Sequence, residues 1–297
     1  MRAEGADFIP PIRAIELVGI PGTGKSTIAQ KLETILEQAG VPTRSKFSAF
    51  ADQRHFFYRQ QKRLRLVLRY ALSCGSLYRS SYDLIAQTQQ RSTLDLAIVV
   101  SNFWSVVALM AEARTQQRDH ALIVDQGLLQ AVWSVQLSSL RQPALNSWAP
   151  LLLASGLAET LVAYVQTDIA VCRGRLSARN RNRTRLDLGT SDEQLLKWQL
   201  ASQQMNELVD WAQTIMPRSA GQPNIVRVAN DEGAPEAAAA EIASAYLERC
   251  RSVPVSAEAG PKEKRHEDSV PDHPNGFDRR GADSCPGPLT VVEAKRP

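Results

Sequence analysis

Cysteine is scarce in this sequence and shows no spacing typical of a metal or redox site. The four residues, which lie far apart, are Cys74, Cys172, Cys250 and Cys285. Because no CxxC or Cys/His pattern occurs, we expect neither a disulfide framework nor a zinc site. This cysteine usage favours a protein of the reducing cytoplasm.

Long apolar runs are also lacking. The nearest approach, residues 97–111, has 15 positions and contains Ser101, Asn102 and Ser105, whereas a membrane-spanning helix needs about 20 apolar residues. Residues 1–7 have no apolar core of the kind found in a secretory signal. We therefore expect a cytoplasmic protein without a membrane partner. The formal net charge of +4 is too small to predict a nucleic-acid partner by itself.

Residues 251–297 have few apolar side chains. They contain 7 of the 16 prolines, 8 Lys/Arg and 8 Asp/Glu, but only one Phe and no Trp, Tyr, Ile or Met. Such a segment cannot bury enough apolar surface to offset the entropy of ordering its backbone. We predict a disordered tail at 251–297, with docking to a partner as an alternative, after a domain of residues 1–250.

Residues 1–250 alternate short apolar runs with segments of helical spacing. The predicted strands are residues 15–20, 43–50, 122–124, 161–165 and 225–228. The predicted helices are residues 26–38, 54–73, 80–117, 128–138, 143–154, 168–180, 191–216 and 234–250. Strands separated by helices predict an α/β fold, a doubly wound parallel five-stranded sheet with helices on both faces.

Residues 19–26 have the pattern GxxxxGK[ST], in which Gly19, Gly24, Lys25 and Ser26 occupy the fixed positions. A predicted strand precedes the pattern and a predicted helix follows it. In such a loop successive backbone N–H groups point at phosphate oxygens, at the positive end of the helix dipole. The predicted nucleotide-binding residues are Gly19, Pro21, Gly22, Thr23, Gly24, Lys25, Ser26 and Thr27.

This loop resembles that of the P-loop NTPase superfamily. The resemblance implies that Lys25 contacts the β- and γ-phosphates of ATP and that the Ser26 hydroxyl binds Mg²⁺. Asp125, which ends the apolar run 121–124, matches the carboxylate that holds the same metal ion in this superfamily. The alternative is that Asp125 caps the helix predicted to begin near residue 128.

Arginines are concentrated just beyond the fourth predicted strand. Residues 173–185 contain Arg173, Arg175, Arg179, Arg181, Arg183 and Arg185. Guanidinium groups match the geometry of phosphate oxygens and stabilise the charge of a transferring phosphoryl group. The segment is similar to the arginine-bearing lid of nucleoside and nucleotide kinases, which would place it at about residues 173–190. Its alternatives are an exposed basic loop and a loop that binds nucleic acid.

The lid resemblance implies catalytic roles for Arg179, Arg183 and Arg185, and nucleotide binding by Arg175. Asn230, which follows the last predicted strand, either bonds the edge of the adenine base or stabilises a turn. Together these features resemble the thymidylate-kinase-like and adenylate-kinase-like proteins over residues 12–250. The DxxG element of GTPases does not follow the apolar run 121–124, since Asp125 is followed by Gln-Gly-Leu, and the NKxD element of GTPases and the LSGGQ element of transporter ATPases do not occur.

The side that binds the phosphoryl acceptor is less well marked. By analogy the acceptor lies between the second strand and the helices at 54–117, where Asp52 is a candidate general base and Arg54 a candidate phosphate ligand. Both residues are equally compatible with a helix start on the surface. Phe103 and Trp104 either line the acceptor pocket or belong to a core helix.

We therefore expect an ATP- and Mg²⁺-dependent kinase that phosphorylates a nucleoside, a nucleotide or another small acceptor. One alternative is a regulatory P-loop ATPase that acts on a protein partner, with the tail as its docking segment. A second is a nucleic-acid-binding ATPase that uses the two basic stretches. The kinase resemblance also makes a homodimer possible.

Overall fold

Four apolar runs and the polar segment Thr43–Ser45 form the strands of one parallel sheet in a computed structural model of the chain. The strands are β1 (Ala14–Val18), β2 (Thr43–Ser45), β3 (Ala121–Val124), β4 (Thr160–Gln166) and β5 (Ile225–Ala229). Their order is β2-β3-β1-β4-β5, and every pairing in this sheet is parallel. All residues of β1 and β3 are buried, as expected where helices cover both faces. The predicted α/β class with a five-stranded parallel sheet is confirmed.

The structure describes residues 12–45, 56–115, 120–178, 186, 190–216, 218–219, 222–231 and 234–252. All of them belong to one compact unit within residues 1–254. The tail predicted at 251–297 lies almost entirely outside the described residues, so its disorder stays a prediction. The same holds for residues 46–50 of the second predicted strand.

Nine α-helices are present among the described residues. They are α1 (Lys25–Gln38), α2 (Phe56–Arg69), α3 (Ala71–Ala86), α4 (Thr93–Thr115), α5 (Leu128–Ser138), α6 (Ala149–Ser155), α7 (Ile169–Ala178), α8 (Ser191–Ile215) and α9 (Pro235–Ser252). A short antiparallel ladder, which the sequence did not indicate, joins Arg218–Ser219 to Gln222–Pro223.

The single helix predicted at residues 80–117 is wrong, because the chain breaks between α3 and α4. Gln89 has a positive φ of 51°, and residues 88–90 pair with residues 139–141, directly after α5, instead of continuing a helix. The Leu140 and Arg141 N–H groups donate to the carbonyls of Gln89 and Thr88 at 3.1 and 3.0 Å. No Gly or Pro marks this break, so the pairing with a distant segment decides it.

Helices cover the sheet on two sides, each with its own core. On one side α1 and α9 pack together, with Ile28, Leu32 and Ile242 in the core. On the other side a larger cluster includes Phe103, Trp148 and Trp198, all with no exposed surface. β1 is the central strand of the sheet between these two cores, so its carboxyl end lies between those of β3 and β4.

Among the described residues one helix, α4, is long and apolar enough to cross a membrane by length and composition, with a mean hydropathy of 1.8 over its best stretch. Half of that stretch is buried inside the fold, where α4 packs against α2, α3, α5 and α6. Phe103 packs against Trp148 at 5.9 Å between ring centroids. Trp104 stacks on Tyr78 at 5.2 Å. Both aromatic residues therefore serve the packing of α4.

Candidate functional site

The loop of residues 19–26 connects β1 to α1 in a backbone conformation that requires glycine. Gly22 has φ +86°, and a Cβ atom there would lie 2.6 Å from the carbonyl oxygen of Cys172. Gly24 has φ +90°, and a Cβ atom there would lie 2.5 Å from Nδ2 of Asn230. Both positions combine a left-handed φ, which L side chains adopt only with strain, with a close approach from another segment. The loop is therefore held tightly between α7 and the end of β5.

Hydrogen bonds from distant residues hold this loop. The Asn230 side chain, only 4% exposed, donates through Nδ2 to the Thr23 carbonyl at 2.7 Å. The Gly19 N–H donates to Oε1 of Gln130 at 3.1 Å. At the start of α1 the Thr27 N–H donates to the Gly24 carbonyl at 2.9 Å. These hydrogen bonds order the loop without the help of a ligand.

Lys25, in the first turn of α1, folds its side chain back over the loop. Its ammonium donates to the carbonyl oxygens of Gly19 and Ile20 at 2.6 and 2.9 Å, and contacts Oγ1 of Thr23 at 3.4 Å. Burial lowers the pKa of Lys25 from 10.5 to about 8, although the nearby Asp125 carboxylate favours the charged form. An oxyanion brought to this loop would offer the ammonium a stronger partner than two neutral carbonyls.

Ser26 and Asp125 meet at the carboxyl end of the sheet. Parallel pairing of β1 with β3, in which Glu16 lies opposite Val124, places Asp125 beside the loop. The Ser26 hydroxyl donates to Oδ2 of Asp125 at 3.1 Å. A hydroxyl and one carboxylate fit Mg²⁺, which keeps several waters and takes its remaining ligands from phosphates. No group of three or more His, Cys, Asp or Glu within the described ranges could hold a metal ion.

Arg175, on α7, lies beside the loop together with Asn230. Its Nη2 donates to the carbonyls of Asn230 and Asp231 at 2.7 and 3.3 Å. Nη1 of Arg175 and Oδ1 of Asn230 are buried without a hydrogen-bond partner in the described part of the chain. Both atoms therefore have unused hydrogen-bonding capacity near Gly24. One of the two interpretations from the sequence is that Asn230 only stabilises its own turn. In the structure its side chain also holds the loop of residues 19–26, through the hydrogen bond to Thr23.

Glu16 is a buried residue beside the site that the sequence argument missed. It occupies the middle of β1 with 2% of its surface exposed. Its two carboxylate oxygens accept the N–H groups of Leu128 and Gln130, at 2.9 and 3.0 Å, at the start of α5. A Cβ atom on Gly127 would lie 2.6 Å from Oε2 of Glu16. The signal in the sequence was a lone acidic residue inside an otherwise apolar strand.

A cavity of about 220 Å³ adjoins the loop. Its walls come from the loop itself, from α2, from α4 and from the start of α5. Lys25 and Arg63 are the charged residues among the described lining, none of which is acidic. Nη1 of Arg63 donates to Oδ1 of Asn102 at 3.2 Å, which orients the guanidinium. Pro21 also lines this cavity, whereas Phe103 and Trp104, considered from sequence, do not.

Four of the predicted catalytic residues lie outside the described residues: Asp52, Arg179, Arg183 and Arg185. The candidate acceptor ligand Arg54 lies there too. Their roles stay predictions. The predicted residues that the structure brings together are the glycines of the loop, Pro21, Thr23, Lys25, Ser26, Thr27, Asp125, Arg175 and Asn230.

The fold defines the chain as an α/β protein built on a five-stranded, all-parallel sheet. No protein-family model matches the chain, and no curated protein matches it either. The family and the activity therefore have to be inferred from the residues of the site.

Proposed function

We propose that this chain is a P-loop kinase that uses ATP and Mg²⁺ to phosphorylate a small acceptor, such as a nucleoside, a nucleotide or another hydroxyl-bearing molecule. The observation that carries the proposal is the cavity of about 220 Å³ that adjoins Lys25. A protein that only hydrolyses ATP needs no second pocket beside its γ-phosphate. A kinase needs one, because the acceptor has to stand in line with the transferring group.

On the nucleotide side, the proposal is supported by the contacts of Lys25, Ser26 and Asp125. The Lys25 ammonium would leave the carbonyls of its own loop for the β- and γ-phosphate oxygens. Ser26 and Asp125 would hold Mg²⁺, which neutralises charge on the same phosphates. Arg175 and Asn230 would flank the base, where Nη1 and Oδ1 have no hydrogen-bond partner among the described residues.

On the acceptor side, the proposal assigns the cavity between α2, α4 and α5 to the acceptor. Its charged lining among the described residues is cationic, so it suits a neutral or anionic acceptor better than an amine. Arg63, oriented by Asn102, would bond a carbonyl or an anionic group of the acceptor. In this scheme Arg179, Arg183 and Arg185 close over the γ-phosphate, and Asp52 takes the acceptor proton.

The test is a transfer assay on the full-length chain. The protein would be incubated with γ-labelled ATP, Mg²⁺ and a pool of nucleosides, nucleotides, sugars and aminoglycosides, and mass spectrometry would detect any phosphorylated product. Lys25→Ala should abolish transfer. Lys31→Ala is the matched control, because Lys31 lies on the same helix but is exposed and pairs with Glu236; this variant should keep full activity.

A phosphorylated acceptor that Lys25→Ala cannot make would establish the kinase and name its acceptor. Release of ADP and phosphate without any product would instead favour the regulatory ATPase. The variant Arg63→Gln should then distinguish acceptor binding from ATP binding. We expect it to raise KM for the acceptor at least tenfold, since a charged hydrogen bond contributes about 1.5–3 kcal/mol, while KM for ATP stays unchanged.

A further inference from the structure

Helix α2 has apolar side chains on two opposite faces. One face, with Leu66 and Val67, packs against the core. The other face carries Leu64 and Leu68, which are 57% and 62% exposed. Leu72, in the first turn of α3, is fully exposed. Large apolar side chains that stand in water at regular helical spacing mark a surface that contacts something else.

The surroundings of these leucines are strongly basic. Residues 53–82 contain seven Lys/Arg and no Asp or Glu; the first acidic residue after them is the exposed Asp83, one helical turn beyond Arg79. Among the described residues of this stretch Lys62, Arg65, Arg69 and Arg79 are exposed, and Arg69 also approaches Glu112 at 3.6 Å. We call Leu64, Arg65, Leu68, Leu72 and Arg79 the outer surface. It combines exposed leucines with positive charge.

We propose that the outer surface binds the face of a membrane that contains anionic lipids. A helix lying in the interface buries leucines among the acyl chains, while its arginines bond the phosphate groups around them. Each cation adds attraction to a negatively charged leaflet. The sequence argument against a membrane concerned a spanning segment, which is a different arrangement.

Charge decides against a second copy of the chain as the occupant. A two-fold symmetric contact would place the same basic surface on both subunits, and like charges held together repel. The leucines decide against nucleic acid, because contacts to a phosphate backbone are made by basic and polar groups and leave apolar side chains without partners. An anionic lipid surface satisfies both kinds of side chain.

The test is co-sedimentation of the full-length chain with vesicles. We compare vesicles of phosphatidylcholine alone with vesicles that also contain phosphatidylglycerol, and we expect binding to the second kind only. Leu64→Ser/Leu68→Ser/Leu72→Ser should lower this binding at least tenfold. Arg65→Ser/Arg79→Ser should lower it about fivefold for each cation removed, and added salt should weaken it.

The matched control is Leu195→Ser/Leu196→Ser/Leu200→Ser on α8, since these leucines are also exposed but lie outside the outer surface. This variant should bind anionic vesicles as the unsubstituted chain does. Circular dichroism and the thermal midpoint verify that every variant is folded.

Three results would overturn the proposal. The first is equal sedimentation with and without anionic lipid. The second is an equal loss of binding in the α8 control. The third is a chain that does not bind vesicles and instead contacts another macromolecule. That contact would be either a dimer in light scattering that the α2–α3 leucine substitutions break, or salt-dependent binding of RNA.

Discussion

The buried carboxylate of Glu16 should contribute more to stability than any single group on the surface of this domain. It caps α5, whose N-cap residue Gly127 provides no side-chain cap. Glu16→Gln keeps the shape of the side chain but replaces one acceptor oxygen with an NH₂ donor. That donor would face a backbone N–H of Leu128 or Gln130, now about 3 Å away.

The cost of this substitution has two parts. A buried N–H group that loses its acceptor costs about 1–3 kcal/mol. Losing a negative charge at a helix N-terminus adds about 0.3–2 kcal/mol. We therefore expect Glu16→Gln to lower the free energy of unfolding by roughly 2–4 kcal/mol. In a domain of this size the thermal midpoint should fall by about 5–15 °C.

Thermal unfolding followed by far-UV circular dichroism measures this loss, and urea unfolding checks it independently. Glu241→Gln on α9 is the control, because Glu241 is exposed; a surface change of this kind should alter stability by no more than about 0.5 kcal/mol. If Glu16→Gln and Glu241→Gln unfold at the same temperature, the capping argument is refuted.

Further predictions concern the loop of residues 19–26. Because burial lowers the Lys25 pKa to about 8, the unfolded state holds a proton that the folded state has lost between about pH 8 and 10.5. The free energy of unfolding should therefore rise with pH over this interval, and in Lys25→Met urea unfolding should show that this rise is absent. Gly22→Ala should abolish the thermal shift caused by ATP, whereas Gly40→Ala, with a similar φ of +79° but no atom within 4 Å, should keep it. Asn230→Ala should lower the thermal midpoint by the equivalent of about 1–2 kcal/mol and weaken ATP binding measured by calorimetry.

The sequence predicted those features that local patterns encode. Four of the five strands were recognisable as apolar runs, the exception being the polar β2, and the glycine spacing predicted the loop before Lys25. The meeting of Ser26 with Asp125 was expected from the resemblance to P-loop proteins, and the parallel pairing of β1 with β3 explains it, because parallel strands bring their carboxyl ends to the same edge. The break between α3 and α4 was missed because it depends on pairing with residues 139–141, which no local signal announces.

The other features that the sequence did not predict depend on contacts between residues that lie far apart in the chain. Gln130 reaches Gly19 across 111 positions of sequence, and Arg63 reaches Asn102 across 39. Neither pair has a spacing that a single sequence can reveal. The cavity beside Lys25 likewise exists only after α2, α4 and α5 have packed, so its lining could not be assigned residue by residue.

The contact between Gly127 and Glu16 makes the residue allowed at position 127 depend on the residue at position 16, far away in the sequence. Any side chain larger than hydrogen at position 127 would meet the carboxyl group of residue 16, so position 127 has to be glycine while a glutamate stands in β1. Chains that share this fold and carry the glutamate should also carry the glycine, and a designer who wants a side chain at position 127 has to shorten the residue at position 16 first.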